Sequence, residues 1–228
     1  MDTRAAILAR LIEVSTAEPP RRRPDQLGSI CRDLLGADGT SITIDNSTMN
    51  RVVLTATDPM AARLEDLEDV LGEGPCHHAY ASAEPVATWL GDDGDPRWPE
   101  FTRSALDVVG PVTIRCFPIH PAGQPFGVLS SYVADGRALV EGEATAQFLA
   151  DALGVTLLRE PPISDWPDVW DLWSSQAVVH QATGMIADQL DVPTEDALAL
   201  LRARAYADDE LLTEVAQDVV GRELHFDS

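Results

Sequence analysis

Val112-Thr113-Ile114-Arg115-Cys116-Phe117-Pro118-Ile119, then Pro121-Ala122-Gly123-Gln124, then Phe126-Gly127-Val128-Leu129-Ser130-Ser131-Tyr132 reads as two β-strands closed by a turn. Upstream, Ser41-Ile42-Thr43-Ile44-Asp45 and Val52-Val53-Leu54-Thr55-Ala56-Thr57 form a second pair, joined by a turn across 46–50. Pro85-Val86-Ala87-Thr88 adds a short strand. Helical spacing surrounds these strands. Ile7, Leu8, Leu11, Ile12 and Val14 lie on one helix, and Leu27, Ile30, Cys31, Leu34 and Leu35 on a second. In residues 60–71, Leu64, Leu67 and Leu71 make an apolar stripe, and the acidic residues between them are expected to face water. Residues 72–110 read as a long irregular middle apart from the short strand. A helix over 141–159 carries Ala144, Phe148, Leu149, Leu153, Leu157 and Leu158. One antiparallel sheet with packed helices is an α+β domain.

Pro161-Pro162 ends that helix, since proline lacks the amide donor and disfavours α geometry before it. The organisation predicted is a domain over 1–160, a Pro/Trp-rich linker and helix start over 161–173, and an all-α three-helix module over 174–228. In that module Ala182, Met185 or Ile186, and Leu190 share one face. Thr194 is placed to cap the next helix, with Ala197, Leu198, Leu201 and Ala205. Leu212, Val215, Ala216, Val219 and Val220 follow on the third.

Composition excludes several classes. The chain has 228 residues, 45% hydrophobic and 24% charged, which is a globular mixture. Its formal net charge is −22, so its overall field repels nucleic acid and anionic lipid. All 16 basic residues are arginine, and any anion site must be local and built from them. Arg21-Arg22-Arg23 is the one dense basic run, too short for a nucleic-acid patch. No apolar run has membrane length, and Met1 is followed by Asp2 and Arg4 rather than by a leader. Cys31, Cys76 and Cys116 are odd in number and carry no CxxC pair, so a reducing, cytoplasmic setting is expected. There is no GxSxG elbow, P-loop, HExxH or kinase signature, and Asp45 is not set in a doubly wound parallel pattern, so no catalytic residue and no enzyme activity are predicted.

Gln181-Ala182-Thr183-Gly184-Met185-Ile186, Ala197-Leu198 with Leu201-Arg202, and Val215-Ala216 with Val219-Val220 resemble the ANTAR module. Gly72-Glu73-Gly74-Pro75-Cys76, Arg97-Trp98-Pro99-Glu100-Phe101 and the hairpin ending Phe126-Gly127-Val128-Leu129 resemble the GAF domain that accompanies ANTAR in actinobacterial regulators. The resemblance implies a GAF-like sensor over 1–160 and an RNA-binding output over 174–228. It implies binding of stem-loop RNA in nascent transcripts, transcription antitermination, and a homodimer. The alternative is a protein-interaction or dimerisation regulator whose acidic module no longer binds RNA.

Residues 174–228 hold three arginines against eleven acids, a balance of −8. Candidate RNA contacts are Arg202, Arg204 and Arg222, with His180 and Tyr206 as stackers and Thr183 standing where the family commonly has lysine. Arg202 and Arg204, two apart on one helix, point to different faces. Gly184, lacking Cβ, is expected to admit another helix closely. Trp166, Trp170 and Trp173 form a stripe suited to a dimer seam or to docking of the module. A ligand pocket is expected between the sheet and residues 72–110, lined by Cys76, Trp98, Cys116 and Phe117, with an unknown small-molecule ligand and no cofactor predicted. Cys76-His77-His78 invites a metal, but consecutive helical residues diverge by ~100°, so ligands from elsewhere would be required. No metal is predicted, and Asp92, Asp93 and Asp95 read as a solvated loop.

Overall fold

The computed structural model describes residues 3–15, 23–45, 51–91, 94–121, 123–134, 137–159, 169–208 and 210–226. The hairpin that opened the sequence reading is β4 (Val112–Ile119) and β5 (Gly127–Ala134), and β5 is the central strand of the sheet. With β1 (Gly39–Asp45), β2 (Arg51–Ala56) and β3 (Val86–Leu90) the order is β2-β1-β5-β4-β3, antiparallel throughout. The register sets Cys116 opposite Ser130 and Ile119 opposite Gly127.

Successive strand residues face opposite sides, and the two sides are covered differently. On one lie α1 (Thr3–Ser15), α2 (Arg23–Leu35) and α6 (Glu143–Arg159), packing Ile7, Leu11, Leu27, Leu35, Leu149 and Leu153 on Ile42, Ile44, Leu54, Phe117 and Leu129. On the other lie α3 (Pro59–Leu71), α4 (Pro75–Ser82) and α5 (Pro99–Val109), packing Ala61, Leu64, Cys76, Ala79 and Phe101 on Leu90, Ile114, Cys116 and Val128. Residues 72–110 are therefore not an irregular middle. Pro75 and Pro99 stand in the first turns of α4 and α5, where a missing amide costs nothing and the fixed φ suits a helix.

Asp58 places α3. Its Oδ1 accepts from the amides of Met60 (2.9 Å) and Ala61 (3.0 Å), and the Tyr132 hydroxyl of β5 donates to the same atom at 2.9 Å.

The remaining helices are α7 (Val169–Leu190), α8 (Thr194–Asp208) and α9 (Leu212–Gly221). Val179, Ala182, Ile186, Ala197, Leu201, Ala205, Val215, Ala216 and Val219 form their shared core, and Val70 of α3 is buried in it. The three helices thus lie against α3, which is covered on the sheet side and on the far side. Among the described residues no helix is long and apolar enough to cross a membrane.

The start of α5 depends on a charged clasp. Asp95 accepts from the Arg97 guanidinium (2.7 Å), the Arg97 amide (3.0 Å) and the Thr88 hydroxyl of β3 (2.8 Å). The hydrogen bonds from Arg97 lead in holding its carboxyl down to about 2. Against an unfolded value of ~3.9, a depressed carboxylate stabilises the fold above pH ~4 and loses that contribution as pH falls toward 2. Arg97 is substantially exposed, so solvent screening reduces the effect to ~1 kcal/mol. Asp95→Ala is expected to lower stability by about that amount at pH 7, and the gap between variant and wild type should close in denaturant melts taken between pH 4 and pH 2.

Candidate functional site

Gly72-Glu73-Gly74-Pro75-Cys76 is the junction between α3 and α4, and each residue has a structural task. Gly72 ends α3 in the left-handed conformation (φ 68°), its amide returning to the Glu68 carbonyl at 2.8 Å. Glu73 reaches across to α5 and accepts from the amides of Glu100 and Phe101, both at 3.2 Å. Gly74 has φ 149°, and a Cβ there would meet the Glu68 side chain. Pro75 opens α4, and the Cys76 and His77 amides that follow donate to the Glu68 carboxyl at 2.9 and 3.1 Å. The helix N-terminus, a natural anion site, is filled by a side chain of this chain.

Glu68 belongs to a buried charged cluster. The sequence reading put the acids of α3 in water, yet Glu65 and Glu68 are each 2% exposed. The reason lies on the sheet. Ser41 and Thr43 of β1 donate hydroxyls to the Glu65 carboxylate, and Arg51 of β2 forms ion pairs with Glu65 and Asp69. Burial alone would lower the Arg51 guanidinium's affinity for its proton, but Asp69, Glu65 and Glu68 outweigh it and hold the charge firmly. Burial pushes Glu68 up to about 8 despite Arg51 beside it. Burial, with Arg51 adding to it, holds His77 down to about 4.

The expected pocket is nearly closed. Between sheet and α4 a cavity of ≈ 20 Å³ is lined by Thr43, Arg51, Cys76, His77, Tyr80, Gly127 and Val128. It has room for about one water or ion, against the ~300 Å³ a small organic ligand needs. Cys76 and Cys116 meet beside it, Sγ to Sγ 3.3 Å, although forty positions apart in sequence. Trp98 is buried in the same cluster but does not line the cavity; it packs edge-on to His78 (ring centroids 5.4 Å) and beneath the Arg97 guanidinium (4.2 Å). Phe117 corrects the expectation, because as the strand neighbour of Cys116 it points to the opposite face, among α1, α2 and α6. Asp95 is engaged in the α5 clasp, and Asp92 and Asp93 lie outside the described residues.

The C-terminal candidates divide. Arg202 turns inward beside the C-terminal end of α3. A Cβ on Gly72 would lie 2.8 Å from its Nη1, its Nε is buried with no hydrogen-bond partner among the described residues, and Asp69 attracts it while Arg51 repels it. Arg204 pairs with Asp208 one turn on. Arg222 is exposed at the left-handed end of α9 and makes no side-chain ion pair among the described residues. Thr183 is buried and donates its hydroxyl to the Val179 carbonyl (2.7 Å), so it faces its own helix rather than a ligand. His180 is exposed, and Tyr206 extends its hydroxyl to within 3.3 Å of Ser104 Oγ on α5. Gly184 does not admit another helix, because the space around its missing Cβ is open. Trp166 lies outside the described residues, as do the side chains of Trp170 and Trp173 in α7. A groove of ≈ 440 Å³ runs between α3, α5 and α8, with Asp66, Val70, Asp107, Tyr206 and Glu210 in its walls.

No protein-family model matches the sequence, and no curated protein matches it. Among solved structures, the GAF domain of a phosphoenolpyruvate-protein phosphotransferase from Coxiella burnetii is similar at 17% identity, covering 69% of this chain and 95% of that one, with a TM-score of 0.51. The nlh2 GAF domain of A. aeolicus in an inactive state matches at 12% identity over 69% and 98% of the two chains (TM-score 0.48). The GAF domain of an Acinetobacter phosphoenolpyruvate-protein phosphotransferase matches at 14% over 68% and 93% (TM-score 0.48). The Coxiella likeness, with the five-stranded antiparallel sheet, shows a GAF-like fold and speaks to the fold alone.

Removing one partner of a buried ion cluster strands the others in low dielectric, at a cost of ~3–5 kcal/mol. Arg51→Met should therefore destabilise the chain by that order in urea unfolding at pH 7. The double variant Arg51→Met/Glu65→Gln should recover part of the loss.

Proposed function

We propose that the chain is a one-component, signal-responsive regulator in which the GAF-like domain governs the three-helix ANTAR-like module, and the released module binds stem-loop RNA in nascent transcripts to act in antitermination. The observation that carries this reading is the docking of α8 against α3. Arg202, an RNA candidate from sequence, is withdrawn against Gly72, where Asp69 attracts it, and Val70 of α3 is buried among α7–α9. The docked module offers RNA little cationic surface, since Arg204 is also paired. A signal that moves α3 would release Arg202.

The role is non-catalytic, cytoplasmic and homodimeric in this reading. Self-association has a surface available: Leu8 and Ile12 on α1, and Val155 and Leu158 on neighbouring α6, stand in solvent, Leu158 at 62% exposure. A second reading, a protein-interaction module without RNA affinity, is favoured by the −8 balance of residues 174–228.

Filter binding of the full chain to paired-hairpin leader RNAs over a salt series separates the two. Val70→Asp, placing a charge in the docking seam, should raise RNA affinity at least ~10-fold over wild type, with affinity falling as salt rises. Arg202→Ala added to it should remove most of that gain. If the Val70→Asp protein stays folded by circular dichroism and binds no hairpin at low salt, the RNA reading is overturned and the protein-interaction reading stands.

A further inference from the structure

We propose that Cys76, Cys116 and Glu68 form a binding site for a thiophilic divalent cation of the zinc(II) class. The sequence reading set a condition for any metal near Cys76, namely ligands from elsewhere in the chain. The fold meets it with residues that sequence spacing does not connect. Glu68 comes from α3, Cys76 from the first turn of α4 and Cys116 from β4, and one donor atom from each lies within 4.8 Å of the others. All three are buried on rigid elements, and neither cysteine is in a disulfide. The two sulfurs are 3.3 Å apart. Two thiolates on a tetrahedral zinc, at ~2.3 Å each, stand ~3.8 Å apart, so loading needs the sulfurs to separate by only ~0.5 Å. A fourth donor is at hand in Glu65, whose Oε1 is 3.6 Å from Cys76 Sγ, or in a water placed in the adjoining cavity.

A divalent ion would enter by displacing the two thiol protons and the Glu68 proton to solvent, with no change in oxidation state. Cys31, in the core on the opposite face of the sheet, belongs to no group of three metal-ligating side chains among the described residues and serves as an internal control.

The inference does not depend on RNA binding. The reduced full chain, stripped with chelator, is titrated with cobalt(II) and zinc(II). The expected result is one ion per chain, a thiolate-to-cobalt charge-transfer absorption in the near ultraviolet, displacement of cobalt by zinc, and a zinc-dependent rise in Tm of the wild type. Cys116→Ser should weaken zinc binding at least ~100-fold and Glu68→Gln ~10-fold, while Cys31→Ser leaves it unchanged. The wild-type spectrum needs no variant to fold. Absence of the charge-transfer band in the folded wild-type chain overturns the proposal. So does undiminished zinc binding in Cys116→Ser, or a reduced pair that takes no metal but loses two mass units to a Cys76–Cys116 disulfide on peroxide treatment.

Discussion

The Arg51 guanidinium, held between Glu65 and Asp69 at the edge of the sheet, is the constraint from which the rest of the site follows. An α-helix that carries acids on the face it must bury cannot lie on a sheet without a fixed positive charge and hydroxyl donors beneath it. Arg51 supplies the charge, and Ser41 and Thr43 supply the donors. Once α3 is seated, the next turn follows. Glu68 is carried to the start of α4, where two amides hold its carboxyl, and that fixes Cys76 against Cys116. The outer side of α3 then offers Val70 and Asp69 to the C-terminal helices. One helix therefore carries both the interior chemistry of the GAF-like fold and its grip on α8.

In the regulator reading proposed above, that arrangement decides what a signal can be. The space between the sheet and α4 is filled by the chain's own carboxyls, guanidinium and thiols, with ≈ 20 Å³ left over. Either the messenger is the size of an ion, or α3 and α4 must move to admit it. Both routes act on the same lever. Displacing the C-terminal end of α3 by an ångström shifts Gly72 and Asp69 against Arg202, and a packed seam does not absorb such a shift smoothly. The groove between α3, α5 and α8 marks where that seam is incomplete, bridged on one side by the hydroxyls of Tyr206 and Ser104.

The sequence made the sheet legible because its central hairpin alternates cleanly and is closed by proline and glycine. It made α7–α9 legible because their apolar residues recur at helical steps. It hid residues 72–110, where α4 and α5 are short and their proline starts resemble breaks. It misassigned Glu65 and Glu68 for a physical reason. Amphipathic analysis assumes one wet face, whereas α3 is covered on both sides, by the sheet and by the last three helices. The available signal was Arg51, a cation on the strand preceding an acidic helix that carries Glu65, Glu68 and Asp69 at helical steps. Cys76 and Cys116 were each read as lining the expected pocket, but their meeting is a product of α4 lying across β4. Phe117 shows the limit of residue-type reasoning, since one step along a strand exchanges the pocket side for the other core.

In the regulator reading proposed above, the surplus of negative charge is less an obstacle to regulation than part of it. A module with eight more acids than arginines gains nothing from RNA by long-range attraction, so any binding must come from a few guanidinium groups in fixed positions. Such a contact is easy to cancel. Burying Arg202 beside Gly72 and pairing Arg204 with Asp208 leaves Arg222 as the exposed guanidinium of the module without an ion pair among the described residues. A basic RNA-binding module could not be silenced by moving one side chain, because its remaining field would still hold the phosphates. An acidic one could, and Arg202 lies one helical turn from the buried carboxyls of the GAF-like core.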